Sequence, residues 1–175
     1  MISSKTSPME LAPLTTLEFR QALGQFATGV TVITAERSPG VVHGMTANSF
    51  TSVSLEPLLI LVCVDQNARL LPLLNKQKRF GISVLTKHQQ AISEFFAQPE
   101  QNQSDEEGLG IRFRWTQSGV PVLEDTLVQL SCNVVMSTIC GDHTIFVAEV
   151  EAVEVHDGEP LLYFQGNYRR MAEQC

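Results

Sequence analysis

The stretch Gly44-Met45-Thr46-Ala47-Asn48-Ser49-Phe50-Thr51-Ser52-Val53-Ser54 carries five hydroxyl side chains (Thr46, Ser49, Thr51, Ser52, Ser54) and one amide, Asn48, with no acidic, basic or thiol group. Hydroxyls and amides donate and accept, so this segment offers neutral hydrogen bonds and is suited to holding a ligand rather than moving protons. A second polar group follows in the loop Asp65-Gln66-Asn67-Ala68-Arg69. Pro72 fits only the first turn of a helix, which therefore starts no earlier than about Arg69. That leaves the N–H groups near residues 67–71 free, either for an anion or facing water as at any helix start.

Three further residues could meet a ligand. His143 follows the Gly141-Asp142 turn at the start of a strand, where an imidazole either reaches a ligand or faces solvent. Tyr168 and Arg169, after Gly166-Asn167, pair an aromatic with a cation that stacks on a planar ligand or lies solvated near the chain end. His43 flanks the hydroxyl stretch, and His88 and His156 fall in helix-surface and turn contexts without a role. No Gly-x-Ser-x-Gly elbow, P-loop or Gly-x-Gly-x-x-Gly fingerprint occurs. Cys63, Cys132, Cys140 and Cys175 lack paired metal-ligand spacing and read as small buried hydrophobes in a reducing compartment, with no metal expected.

These groups need elements to hold them. Leu58-Leu59-Ile60-Leu61-Val62-Cys63-Val64 is an unbroken apolar run that reads as a fully buried strand, marked off by Pro57 from the hydroxyl-rich edge. A neutral edge fixed beside such a strand suits a ligand with many acceptors, such as a phosphate or a flavin ring edge. Ser and Thr equally fill solvated strands and turns, and composition alone leaves that reading open.

Elsewhere Thr15 and Glu18 predict a capping box for a helix whose Leu17, Ala22, Leu23 and Phe26 face the core, ended by Gly29. Val30–Thr34 and Val41–Asn48 predict two antiparallel strands around a Ser38-Pro39-Gly40 turn. Phe80–Leu85 reads as a strand. Thr86 and Gln89 cap a helix carrying Ala91, Ile92, Phe95 and Phe96 that Pro99 stops. Residues 98–110 read as an exposed, mobile loop. Short strands are expected near Phe113–Thr116 and Val120–Leu123, then a meander of Leu127–Ile139, His143–Val155 and Leu161–Phe164. Six or seven strands with few lateral helices predict a mainly β, closed or partly closed barrel.

The 175 residues suit one domain over 15–175 behind a mobile tail over 1–14. A net charge of -7 disfavours nucleic acid and anionic membrane as partners. No apolar run approaches the ~20 residues of a membrane span and the start lacks a signal-peptide pattern, so a soluble, cytoplasmic protein is expected.

The motifs Phe19–Val32, His43–Ser54, Arg79–Leu85, Gly119-Val120-Pro121-Val122-Leu123, Gly141–Phe146 and Pro160–Tyr168, in order along the chain, resemble the flavin reductase family. These are short-chain NAD(P)H:flavin oxidoreductases that supply reduced flavin to two-component monooxygenases. The resemblance implies a split β-barrel of the FMN-binding type, antiparallel and Greek-key-like, that forms a homodimer. It implies FMN or FAD as flavin and NADH or NADPH as reductant, with reduced flavin diffusing to a monooxygenase partner. On matching positions, Gly44, Met45, Thr46, Asn48 and Ser49 would line the isoalloxazine, with Ser52 and Ser54 towards the ribityl and phosphate. Asp65, Asn67, Arg69 and Arg79 would complete the phosphate side, and His143, Tyr168 and Arg169 would border the nicotinamide. This chain has Pro57-Leu58 where the family usually has two prolines. The rival readings are a flavin-binding module without turnover and an oligonucleotide-binding barrel, the latter disfavoured by acidic charge and few exposed aromatics.

Overall fold

The computed structural model describes residues 13–171. The tail expected over 1–14 lies outside the described residues except for Pro13 and Leu14, and Cys175 lies outside them too. Helix α1 (Thr16–Leu23) starts on the capping box: Glu18 N–H donates to Thr15 Oγ1 at 3.2 Å, and Thr15 N–H donates to the Glu18 carboxylate at 2.9 Å. There follow β1 (Thr28–Gly29), β2 (Thr31–Ser38), β3 (Val41–Ala47), β4 (Thr51–Leu55), β5 (Leu58–Asp65), α2 (Leu71–Gln77), β6 (Arg79–Val84), α3 (Gln90–Phe96) and α4 (Gln103–Gly108). The last third contains β7 (Phe113–Trp115), β8 (Pro121–Leu123), β9 (Val128–Cys140), β10 (His143–Val155), β11 (Leu162–Phe164) and β12 (Asn167–Arg169).

Seven strands form one antiparallel sheet in the order β3-β2-β6-β9-β10-β5-β4. Its two edge strands, β3 and β4, are consecutive in the chain and meet at the corner Asn48-Ser49-Phe50 without sharing a ladder. Ser49 spans the gap left there. Its Oγ accepts from Cys63 N–H at 3.1 Å and donates to Cys63 C=O at 3.0 Å, replacing the ladder partners that β4 would supply if it ran further.

One core cluster gathers Ile33, Val62, Val64, Phe80, Ile82, Phe146 and Ala148 under Leu70, Leu71 and Leu74 at the start of α2. Each of these side chains larger than alanine contributes roughly 1.5–3 kcal/mol by leaving water. A second cluster (Val30, Val32, Leu85, Phe95, Phe96, Leu123, Leu161) joins α3 to the outer side of β2 and carries Tyr163 and Tyr168 at its margin. No helix among the described residues is long and apolar enough to cross a membrane.

Several expectations are corrected. The apolar face of α1 is not core: Leu17, Leu23 and Phe26 are 66%, 58% and 77% exposed, because no element among the described residues packs over them, and the helix ends at Gly24 rather than Gly29. β5 is buried on one face only, through Ile60, Val62 and Val64, with Leu59, Leu61 and Cys63 half-buried on the other. An antiparallel sheet covered on one side permits an apolar residue on either face.

β11 does not continue the meander after β10; it pairs with β1 and β12 in a separate small sheet, and β7 pairs with β8 in another. Residues 98–110 contain α4, started by Asn102, whose side chain accepts from Asp105 N–H at 2.8 Å. The polar composition that suggests a loop also suits this cap. Cys132 is buried, Cys63 half-buried and Cys140 exposed, since Cys140 ends β9 beyond the span that β6 covers. Burial pushes the Cys132 thiol up to about 12 and raises Cys63 as well, so neither is a ready thiolate nucleophile.

Candidate functional site

β3 presents its residues between α3 and the loop after β5, and two cavities open along it. The first, about 370 Å³, is lined by His43, Gly44 and Met45 of β3, by Asp65 at the end of β5 with Asn67 and Arg69 after it, and by Phe96 at the end of α3 with Ala97, Gln98, Pro99 and Gln101 after it. The second, about 190 Å³, is lined by Thr46 and Asn48 with Tyr163 and Tyr168. Ala97 borders both, so they are neighbours on one edge of the sheet.

Sequence dictates this arrangement locally. A Cβ on Gly44 would lie 2.6 Å from the Phe96 ring, so the absence of a side chain lets α3 seat its last aromatic directly on the strand. Thr46 Oγ1 donates to Ser93 C=O at 2.6 Å, and Ser93 Oγ shares a 2.8 Å hydrogen bond with Tyr168 Oη. Ser93 therefore ties β3, α3 and β12 together. Tyr168 also meets Tyr163 edge-on at 5.4 Å between ring centres. Among the described residues, Thr28 Oγ1 is the buried side-chain oxygen without a hydrogen-bond partner, and its strand pairs it with Tyr163.

The chain after α3 forms a strap over the first cavity. Gln101 Nε2 donates to Gly44 C=O at 2.8 Å, and Gly44 N–H donates to Gln101 Oε1 at 3.4 Å, so one amide side chain occupies the open edge of β3. Beside it the Arg69 guanidinium places two nitrogens on the two carboxylate oxygens of Glu100. Gln101, Glu100, Phe96 and Ser93 carry no sequence signal of function; Gln101 and Glu100 stand in a polar run, and their roles come from where α3 ends.

The predicted residues divide between these places. Gly44, Met45, Asp65, Asn67 and Arg69 line the first cavity, and Thr46, Asn48 and Tyr168 the second. Ser49 lies at the corner with its hydroxyl on Cys63. Ser52 and Ser54 sit on β4, where Ser54 Oγ accepts from Glu56 N–H at 3.1 Å. Arg79 opens β6 and donates to Glu151 at 2.9 Å, and Arg169 is exposed on β12. None of Ser49, Ser52, Ser54, Arg79 or Arg169 lines either cavity.

His143 opens β10 in register with Asp65 but lines neither cavity, and its Nδ1 lies 2.8 Å from Asp142 Oδ1. That hydrogen bond and the imidazole's charge hold the Asp142 carboxyl below its ordinary range. Of the N–H groups of residues 67–71 expected to be free, three are engaged: Asn67 N–H on Asp65 Oδ1 at 2.7 Å, Ala68 N–H on Asp65 C=O and Leu71 N–H on Ala68 C=O, while those of Arg69 and Leu70 have no acceptor among the described residues. The Arg69 side chain brings positive charge to the first cavity.

His43, only 9% exposed, borders the first cavity and a smaller one of about 120 Å³ lined by Arg37 and Gln101. Burial, then the charges of Arg37 and Arg69, hold its imidazole below the ordinary 6.5. The unfolded chain therefore binds the proton first on acidification. The resulting stability is complete above pH 6.5 and is lost as pH falls through the depressed folded value. Urea midpoints of wild type and His43→Gln measured from pH 7 down to about pH 5 should show a shallower loss in the variant. Parallel curves would contradict this.

Among the described residues no group of three or more His, Cys, Asp or Glu is placed to hold a metal. What the two cavities along β3 offer is neutral donors and acceptors, a tyrosine pair, one arginine, the His43 ring and the Asp65 carboxylate. This donor set fits a planar heterocycle carrying a phosphate.

Residues 23–172 match the family described as flavin reductase like domain. The chain is 42% identical over 165 residues to an NADH-dependent flavin reductase of Rhodococcus sp., covering 93% of this chain and 90% of that protein. It is 40% identical over 155 residues to the reductase component of 4-hydroxyphenylacetate 3-monooxygenase of Thermus thermophilus, covering 87% and 95%. Among solved structures, flavin reductase PheA2 in its native state superposes with a TM-score of 0.82 at 39% identity, over 91% of this chain and 100% of that one. A match over most of its length, a shared fold and relatives of this identity together place the chain in the flavin reductase family.

Proposed function

We propose that this chain is an NADH-dependent flavin reductase that supplies reduced flavin, FMN or FAD, to a partner monooxygenase. The observation that carries the reading is the pair of adjoining cavities along β3, whose lining joins neutral hydrogen-bonding groups, apolar residues and two tyrosines to Asp65, His43 and Arg69. The relatives named as a flavin reductase and as a monooxygenase reductase component support it. When bound, a flavin supplies the hydride acceptor for nicotinamide, so a site without its own acid–base pair is sufficient.

In this proposal Gly44, Met45, Thr46 and Asn48 hold the ring edge. Tyr168 and Tyr163 wall it off from water, and Arg69 neutralises the phosphate. Asp65 and Asn67 shape the loop that carries Arg69. Ser49 acts by fixing the corner, and the proposal does not rest on Ser52, Ser54, Arg79 or Arg169. His143 orients the nicotinamide from the start of β10, in register with Asp65. His143→Ala should raise KM for NADH about three- to ten-fold while flavin affinity stays within two-fold, the loss of one orienting hydrogen bond. Abolished reduction at saturating NADH with intact flavin binding would contradict that role.

We read the sheet as a split barrel, because its two edges meet at one chain corner and are joined there by Ser49. A homodimer and a cytoplasmic setting belong to the same proposal. The exposed Leu17, Leu23 and Phe26 around α1, with Val135, Met136 and Ile139 on β9, offer the apolar area a second copy would cover. Steady-state NADH consumption with added FMN tests the function. A reductase consumes many equivalents per protein, whereas a flavin-binding module without turnover consumes at most one.

A further inference from the structure

The Arg69 that ends the first cavity already holds an anion of its own chain. Both guanidinium nitrogens named above face both Glu100 oxygens, and Glu100 is placed there by its neighbour Gln101, which clips the strap to Gly44. Arg69 and Glu100 are 53% and 80% exposed in their side chains, so the pair lies at the cavity rim and can exchange partners. Across the rim the buried His43 imidazole, which has no hydrogen bond to a described residue, feels the charges of Arg37 and Arg69. Arg69 and the His43 ring thus border the cavity together with the Asp65 carboxylate, and Glu100 is the carboxylate paired with Arg69. A phosphate that takes the same two Arg69 nitrogens must displace that carboxylate.

We infer that Glu100 is a resident competitor for the flavin phosphate: it occupies Arg69 when the cavity is empty, weakens phosphate-bearing flavin selectively, and favours release of the flavin after reduction. The inference rests on the reading of this site as a flavin site. It assigns a specificity role to a strap residue outside the ring contacts. The physical reason is exchange. A rim ion pair is worth little in itself, and a carboxylate that leaves for solvent regains its hydration, so Glu100 trims affinity without abolishing it.

The test compares equilibrium dissociation constants of FMN and riboflavin, measured by quenching of flavin fluorescence at low salt in the absence of NADH. Glu100→Gln should tighten FMN about two- to five-fold and leave riboflavin unchanged, the range expected of an exposed ion pair. Raising the salt should shrink the difference. Gln101→Ala, which frees the strap but keeps the carboxylate, should move FMN and riboflavin together.

An FMN-to-riboflavin ratio unchanged by Glu100→Gln would overturn the inference, as would equal tightening of both ligands, the mark of a looser strap alone. A lowered KM for NADH with an unmoved flavin ratio would assign Arg69 to the pyrophosphate of the nicotinamide nucleotide and overturn the flavin assignment. Failure of wild type and variant alike to bind either flavin would instead overturn the flavin-site reading, and the inference with it.

Discussion

Gly81→Ala is expected to destabilise the protein by at least about 3 kcal/mol, a fall in midpoint temperature of roughly 6–12 °C for a chain of this size. A Cβ at this position would lie 2.2 Å from Pro121 C=O, 2.6 Å from Thr34 Oγ1 and 2.8 Å from the Val122 side chain. The nearest of these is backbone and cannot swing aside. The clash therefore pushes β8 away from the sheet and strains two hydrogen bonds that hold it there: Thr34 Oγ1 donating to Pro121 C=O at 2.5 Å, and Leu123 N–H donating to Ser83 Oγ at 3.0 Å. All of these groups are buried, so lost partners are not replaced by water. Gly29→Ala, with nothing within 4 Å of its Cβ, serves as the control and should change stability by less than about 0.5 kcal/mol. Thermal unfolding of the two variants checks the pair; equal midpoints would show that β8 yields freely.

Ser49→Ala should reduce both stability and flavin affinity. One hydroxyl serves the N–H and C=O of Cys63 beyond the end of β4, and removing it leaves two half-buried backbone groups without that partner. The expected cost is about 1–3 kcal/mol. Much of it falls on the corner Asn48-Ser49-Phe50, which fixes Thr46 and Asn48 on the cavity wall. A displacement there translates into roughly ten-fold weaker flavin binding, the equivalent of about 1.4 kcal/mol. Ser49→Thr keeps the hydroxyl and should recover most of the loss. Ser49→Ala with unchanged riboflavin affinity would show that the corner does not position the site.

Much of the fold was legible because local signals coincide with local structure. The Thr15–Glu18 box, the Pro72 limit on α2, the Gly141-Asp142 turn and the two long strands β9 and β10 each depend on residues close in sequence. What escaped depends on distant partners. The pairing of β11 with β1 rather than β10 joins residues more than a hundred positions apart, and no periodicity encodes it. The apolar stripe of α1 reads as core in any amphipathic analysis; only the structure shows that none of the described residues covers it.

The site divides in the same way. The neutral composition of residues 44–54 and the cation in the loop after β5 were visible as chemistry, and the structure sets Gly44, Thr46, Asn48 and Arg69 along adjoining cavities. Composition could not separate hydroxyls that face a cavity from those that hold the backbone. Thr46 borders a cavity while donating to Ser93, whereas Ser49 and Ser54 bond to Cys63 and to the Glu56 N–H. Nor could it foresee Gln101 completing the β3 edge from 57 residues away.

The central claim is that the uncharged edge of β3 holds a flavin with its phosphate directed at Arg69. A crystal structure of the protein with FMN tests it most directly. The claim predicts the ring along Gly44–Asn48 beside Tyr168 and the phosphate on Arg69 with Glu100 displaced. An FMN bound elsewhere, with that edge facing open solvent, would contradict it.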